Sequence, residues 1–403
     1  MKRQRKPAGR MARDSERLVT LARHVNDSGS RLEERFWERE LDALLAKSLR
    51  TGSAHAVETA LDHLIATEER TYEILLNQCE SVAESQVVTR AGTEYDLLLL
   101  AAPILAWTRY TIPSGALRAA DVAVLQVHLS AHVLAKNARI MLAPFLFSLE
   151  QIPHSFAQAF ALTSKLGTAA LTGSVPQLNM TDATETEPLL ADSRFLLAGV
   201  ALPRGNPVFR WQEEADSPAA QVDRAQCLES WNAQARPNLA SLLPSNGFEV
   251  LLPDAFYVSV QESDRRIRPY TIKASVAYLE GALTVEASQL RAVVAGVGEN
   301  GIDEYRIGFT AVGGDAVVYG VVWPLYGHEN SVAHAGTGSE AVPLDEIAAL
   351  LKQCGIVDVH VFPGAHFPEY CEDCGAPFFP DPRADFVHAE PPAEDGSAGA
   401  HFH

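Results

Sequence analysis

The chain has 403 residues and a mass of 43.7 kDa, with a formal charge of −18, a hydrophobic share of 47% and a mean hydropathy of −0.03. That is more chain than one hydrophobic core usually serves, and the composition is that of a folded globular protein, which excludes a collagen-like or wholly disordered polymer. The longest apolar stretch, residues 97–107, contains Pro103 and falls well short of the roughly 20 residues that a membrane-spanning helix needs.

The chain opens with MKRQRKPAGRMARDSER, which is basic but leads into no apolar run of the kind a secretory signal carries, so a cytoplasmic location is expected. Residues 1–14 read as a basic disordered tail. Residues 1–50 hold thirteen Lys/Arg against eight Asp/Glu, a balance of +5 that leaves −23 for the rest. A surface of that sign repels phosphate backbones, so nucleic acid is disfavoured as a partner outside the tail and local basic patches.

From 15 to 167 the periodicity reads as helical, which predicts an all-helical bundle domain. Ser30 and Glu33 are spaced as a capping box, and Leu32, Phe36, Leu41, Leu44, Leu45 and Leu49 make one apolar stripe behind them. Further helical segments are expected around Leu61, around Leu75, in the block 97–107, over 117–136 and over 153–165. His128 and His132 lie four apart in LQVHLSAHVLAK and could share a metal, although Leu125, Leu129 and Val133 around them argue for plain packing.

Residues 168–192 are rich in Thr, Gly, Pro and acids and read as a linker. Beyond them an α+β domain is expected over 193–367, built of two similar halves, 193–257 and 290–367. SRFLLAGVALP resembles LRAVVAGVGEN, and GFEVLLPDAFY resembles GIVDVHVFPGAHF, which suggests a duplicated β-β-α-β unit forming a mixed sheet with helices on one face. The motif G-x-G-x-x-G at 296–301 is followed by strand-like IDEYRIGFTAV, so it reads as a hairpin turn; a phosphate cradle would need a helix to begin there. Arg265, Arg266, Arg268 and Lys273 surround Pro269, taken as the first residue of a helix, and form a candidate patch for a phosphate, nucleic acid or acidic partner. The plainer reading pairs these arginines with Glu262 and Asp264. Residues 326–343 are long enough for a binding loop, but no chemistry attaches to His328 or His334.

The strongest chemical motif is FPEYCEDCGAPFFPDPRADFVHAE. Cys371 and Cys374, spaced C-x-x-C and followed by Gly375, have the pattern of a zinc knuckle, in which a tight turn aims two thiolates at one point. A closed structural site needs four ligands, and the sequence holds no second C-x-x-C. Candidates for the others are His366, His388, His360 and Cys354; the expected set is Cys371, Cys374 and His388, with His366 fourth. Residues 368–390 thus read as a metal-knuckle hairpin holding structural zinc, which would fasten a segment otherwise poor in apolar residues, and 391–403 as a disordered tail. The alternatives are a redox dithiol or free surface cysteines. Five cysteines, odd in number and scattered, are no disulfide framework.

SRLEERFWERELDALLAKSL near the start and EYCEDCGAPFFPDPRADFVHAE near the end resemble a proteobacterial family known only as a domain of unknown function, number 2863. The likeness covers nearly the whole chain. It implies a bacterial cytosolic protein and brings no activity, substrate or catalytic residue with it. The expectation is a non-enzymatic interaction or scaffold protein, its partner another protein or a second copy. A nucleic-acid-associated protein using the tail and the Arg265 patch is the alternative. A metal-dependent enzyme with an open zinc position comes third, because no nucleophile with its base and no paired carboxylates stand out by spacing.

Overall fold

Four amphipathic helices open the chain, each burying one stripe. The computed structural model describes residues 11–51, 54–178, 186, 189–214, 221–299, 301–326, 329 and 343–392. Helices α1 (Arg13–Asp27), α2 (Arg31–Arg50), α3 (Ala54–Ile65) and α4 (Glu69–Glu84) bring Leu18, Ala22, Leu41, Leu45, Leu64 and Leu75 into one core. Ser30 caps α2 as expected, its Oγ accepting from the Glu33 N–H at 3.2 Å. The α2 stripe begins later than its sequence suggests, since Leu32 and Phe36 are exposed.

The helical reading of 15–167 fails after Glu84. Residues 85–148 contain β1 (Ser85–Arg90), β2 (Thr93–Trp107), β3 (Gly115–Ala116) and β4 (Arg139–Ser148), with only α5 (Ala119–His132) among them. The block 97–107 is strand β2, buried on both faces. Alternate residues point to opposite sides: Leu99 and Ala101 join Phe195 and Leu197 under the N-terminal helices, while Leu100, Ala102 and Ile104 meet Leu125, Leu129 and Trp231. A run that is apolar on both faces has no period of two, so it looks the same as a buried helix until something packs against it.

Helix α6 (Phe156–Thr172) leads through the expected linker into β5 (Ala191–Pro203), which lies antiparallel between β2 and β4. Both sides of residues 168–192 therefore build the same sheet, of order β1-β2-β5-β4-β3, with β6 (Gly247–Val250) and β7 (Asp254–Ala255) also lining β2. Helix α6 lies so close that a Cβ on Gly199 would sit 2.2 Å from the Leu166 carbonyl carbon. Helices α5 and α7 (Arg224–Leu242) cover the opposite face.

Helix α8 (Phe256–Leu283) joins this sheet to a second one. Ser259 Oγ donates to the Ala101 carbonyl of β2 at 3.0 Å, whereas Ile272, Val276 and Leu279 pack on the second sheet. Pro269 lies inside α8 and does not start a helix. Proline has no N–H to offer the carbonyl four residues back, that of Arg265. The Arg268 Nε donates to that carbonyl at 3.1 Å, so the orphan acceptor is satisfied within the helix.

The second sheet has the order β10-β9-β8-β11, made by β8 (Leu290–Val297), β9 (Glu304–Ala311), β10 (Tyr319–Pro324) and β11 (Asp358–His366). The glycine motif forms the β8–β9 turn with no helix after it, in keeping with the hairpin reading; Asn300 lies outside the described residues. Helices α8 and α9 (Pro343–Gln353) cover one face, and the hairpin β12 (Phe379–Pro380)–β13 (Phe386–Val387) lies on the other. The two halves expected to be copies differ in pairing: β11 runs parallel beside β8, whereas β6 pairs with β2 and not with β5. Residues 207–211 contain only a single bridge and the start of a 3-10 turn. What the segments share is the pattern of a buried strand and a proline turn, which many unrelated strands carry. Among the described residues, no helix is long and apolar enough to cross a membrane.

Candidate metal centre

The chain leaves β11 at His366 and enters a turn fixed by its own backbone. Tyr370 bridges Pro377, and the Phe378 N–H donates to the Glu369 carbonyl at 3.0 Å. Inside this loop the Cys371 N–H donates to Ala376 at 2.8 Å and the Gly375 N–H donates back to Cys371 at 2.9 Å. Gly375 has φ 75°, a conformation costly for any residue with a Cβ, and it is this reversal that turns both thiols toward one side. The chain then returns through β12 and β13. Buried Asp381 makes that second turn, its Oδ1 accepting from the N–H groups of Arg383 at 2.8 Å and Asp385 at 2.9 Å, and His388 follows directly on β13.

The result brings one ligand atom from each of Cys371, Cys374 and His388 within 4.8 Å of one another. Cys374 Sγ lies 3.3 Å from His388 Nε2. Tetrahedral zinc, with Zn–S near 2.3 Å and Zn–N near 2.0–2.1 Å, would hold such atoms about 3.5 Å apart. The Cys374–His388 separation is thus close to what a shared ion would require, and two thiols with an imidazole are the donor types a thiophilic ion prefers. The Cys371 thiol is lowered from its ordinary range chiefly by backbone N–H groups of Cys374 and Asp373, which favour the thiolate that binds metals. Cys374 and His388 are exposed and Cys371 is half-buried, so the group sits at the surface.

Residues 2–402 match a family model described as Protein of unknown function (DUF2863). The chain belongs to that family. No curated protein and no solved structure matches it.

The fourth ligand expected of this DUF2863 chain does not join the group. His366 packs its ring on Phe386 at 5.3 Å between centroids, and its Nε2 is buried with no hydrogen-bond partner among the described residues. His360 faces Asp358, at 2.8 Å, and Cys354 packs beside the core of the second sheet.

A residue the sequence reading passed over holds the knuckle to the sheet. Arg306 of β9 is fully buried and donates through Nη1 to the carbonyls of Glu369 at 2.6 Å and Phe378 at 2.8 Å, with Nε on Glu304 at 2.7 Å. Its guanidinium lies 4.9 Å from the Tyr370 ring centre. Glycines on the sheet let the hairpin approach: a Cβ on Gly320 would meet the Phe379 ring, and one on Gly308 the Pro380 carbonyl oxygen, each at 2.3 Å. The available sign was an arginine two residues after Glu304 and followed by the apolar run IGF in a strand, EYRIGF, since a buried cation needs acceptors brought to it.

The basic patch is mostly spent internally. Arg268 is 7% exposed and donates to Glu329 at 2.9 and 3.1 Å and to the Pro324 carbonyl at 2.7 Å, while Arg265 lies 4.0 Å from the same Glu329. Arg266 pairs with Glu262 at 2.8 Å, and Lys273 lies 5.5 Å from the Tyr270 ring centre. Asp264, which was expected to pair with these arginines, makes no ion pair among the described residues, and burial pushes its carboxyl up to about 6. His128 and His132 stack at 6.2 Å on α5, and among the described residues they belong to no group of three or more side chains that could hold a metal. His328 and His334 lie outside the described residues.

Proposed function

We propose that this chain is a cytoplasmic interaction protein without catalytic activity, in which Cys371, Cys374 and His388 hold zinc and thereby fix a docking surface at the C-terminal end of the second sheet. The observation that carries this reading is the setting of the three side chains: they meet on a surface hairpin with Cys374 and His388 exposed, and exposed Phe367 and Tyr370 lead into them. Apolar side chains held in the open beside an ordered turn are what a protein partner, or a second copy, can bury. A surface cavity of about 390 Å³ lies elsewhere, between the α1–α2 turn and α4, and is lined by polar residues such as Ser28, Arg31 and Asn77. It contains none of the metal-binding side chains.

Nucleic-acid binding through the arginine patch has weaker support, because Arg268 is buried and ion-paired and Arg265 shares its carboxylate. The test is metal analysis of the purified chain beside Cys371→Ser. The reading expects about one zinc per wild-type chain and loss of most of it in the variant. A wild-type protein that retains no stoichiometric zinc under reducing conditions overturns it.

A further inference from the structure

Among the described residues the candidate metal centre has three ligands, where a closed structural site has four. Among the described residues, no further His, Cys, Asp or Glu joins Cys371, Cys374 and His388. His366, the nearest sequence candidate, is turned onto Phe386. The open side is the solvent side, since Cys374 and His388 are both exposed.

Charge then narrows what can fill the gap. A divalent ion with two thiolates and one neutral imidazole is electrically neutral. Around it Glu369, Glu372, Asp373 and Glu390 are exposed, and none makes an ion pair among the described residues. Their combined field works against a further anionic ligand, such as a thiolate or carboxylate, and tolerates a neutral nitrogen donor. The same carboxylates favour Lys or Arg beside that donor, and exposed Phe367 and Tyr370 offer apolar contact.

We propose that the fourth position of this centre is open to an external ligand and selects a neutral imidazole, so that a histidine in a basic segment of a partner protein docks by ligating the metal. This rests on the reading that the three side chains hold a metal, and it adds the chemistry of the partner. The ion then joins two chains as well as ordering one.

The experiment uses the full chain loaded with cobalt(II), whose visible bands report ligand number and type. Thiolate-to-cobalt absorption that disappears in Cys371→Ser establishes metal binding; without it the metal reading itself fails. Given that absorption, free imidazole is expected to shift the visible bands saturably and to bind at least about tenfold more tightly than azide, an anionic probe of similar reach. Deleting residues 393–403, which contain His401 and His403, is expected to leave both the starting spectrum and the imidazole response unchanged. Three results overturn the proposal while leaving metal binding intact: a spectrum that imidazole does not move, azide binding as tightly as imidazole, or a deletion that removes a nitrogen ligand and so shows that the chain supplies its own fourth donor.

Discussion

Arg306 Nη1 donates to the Phe378 carbonyl at 2.8 Å, so a buried cation in the second sheet clamps the strand that carries the cysteine turn back toward His388. The knuckle was expected to depend on its metal for order. Arg306, the Phe379 ring over Gly320 and the Glu390 N–H bonded to the Val317 carbonyl at 2.9 Å also fasten it to the second sheet. A metal held by Cys371, Cys374 and His388 would add to these contacts by fixing the positions of the three side chains.

Arg306→Met should therefore cost more than a surface substitution, because it strands two carbonyls and the Glu304 carboxylate under the hairpin. Losing one partner of a buried charged network costs about 3–5 kcal/mol. Chemical denaturation should register that loss, and metal affinity should fall with it. A variant as stable as wild type with unchanged metal content would show that the clamp contributes nothing.

Gly320→Ala places a methyl group 2.3 Å from the Phe379 ring. Overpacking of this kind costs about 1–3 kcal/mol. The cost should shrink in a Phe379→Ala background, giving a coupling of at least about 0.5 kcal/mol in a double-mutant cycle. Additive effects would mean that the two residues do not touch.

His388→Ala should abolish most metal binding, whereas His366→Ala should leave the metal content unchanged, since His366 faces Phe386. Atomic absorption on the two purified variants separates them. Equal loss in both would restore His366 as a ligand.

Glu84 closes α4 and supplies what α8 lacks, a cap: its Oε2 accepts from the Tyr257 N–H at 2.9 Å, and no side chain of α8's own N-terminal residue does so. Burial pushes the Glu84 carboxyl up to about 7, helped by Glu80 and Asp254 nearby. The folded state thus holds this proton more tightly than the unfolded state. Stability should be greatest below the ordinary glutamate range and should fall as pH rises from about 4.5 to about 7, by at most roughly 3 kcal/mol. Glu80 and Asp264, raised by burial as well, add slope of the same sign. Glu84→Gln keeps an acceptor for the helix and should flatten the profile in urea titrations at pH 5 and pH 8. An unchanged slope would assign the dependence to other groups.

The sequence by itself determined the features written in short-range patterns. The Ser30 cap of α2 is one, because it links residues three apart. The strand continuing past the glycines at 296–301 is another, and so is the grouping of Cys371, Cys374 and His388, where a C-x-x-C turn and a proline-rich hairpin close over fewer than twenty residues. Tertiary structure decided the rest. Residues 97–107 became a central strand because β5 pairs along their whole length, and an uninterrupted apolar run does not reveal which partner it will find. Pro269 stayed inside α8 because Arg268 turns back to the stranded carbonyl. His366 was lost to the metal and Arg306 gained by the knuckle for one reason: each was settled by which buried surface lay opposite, and that is a property of packing between segments distant in the chain.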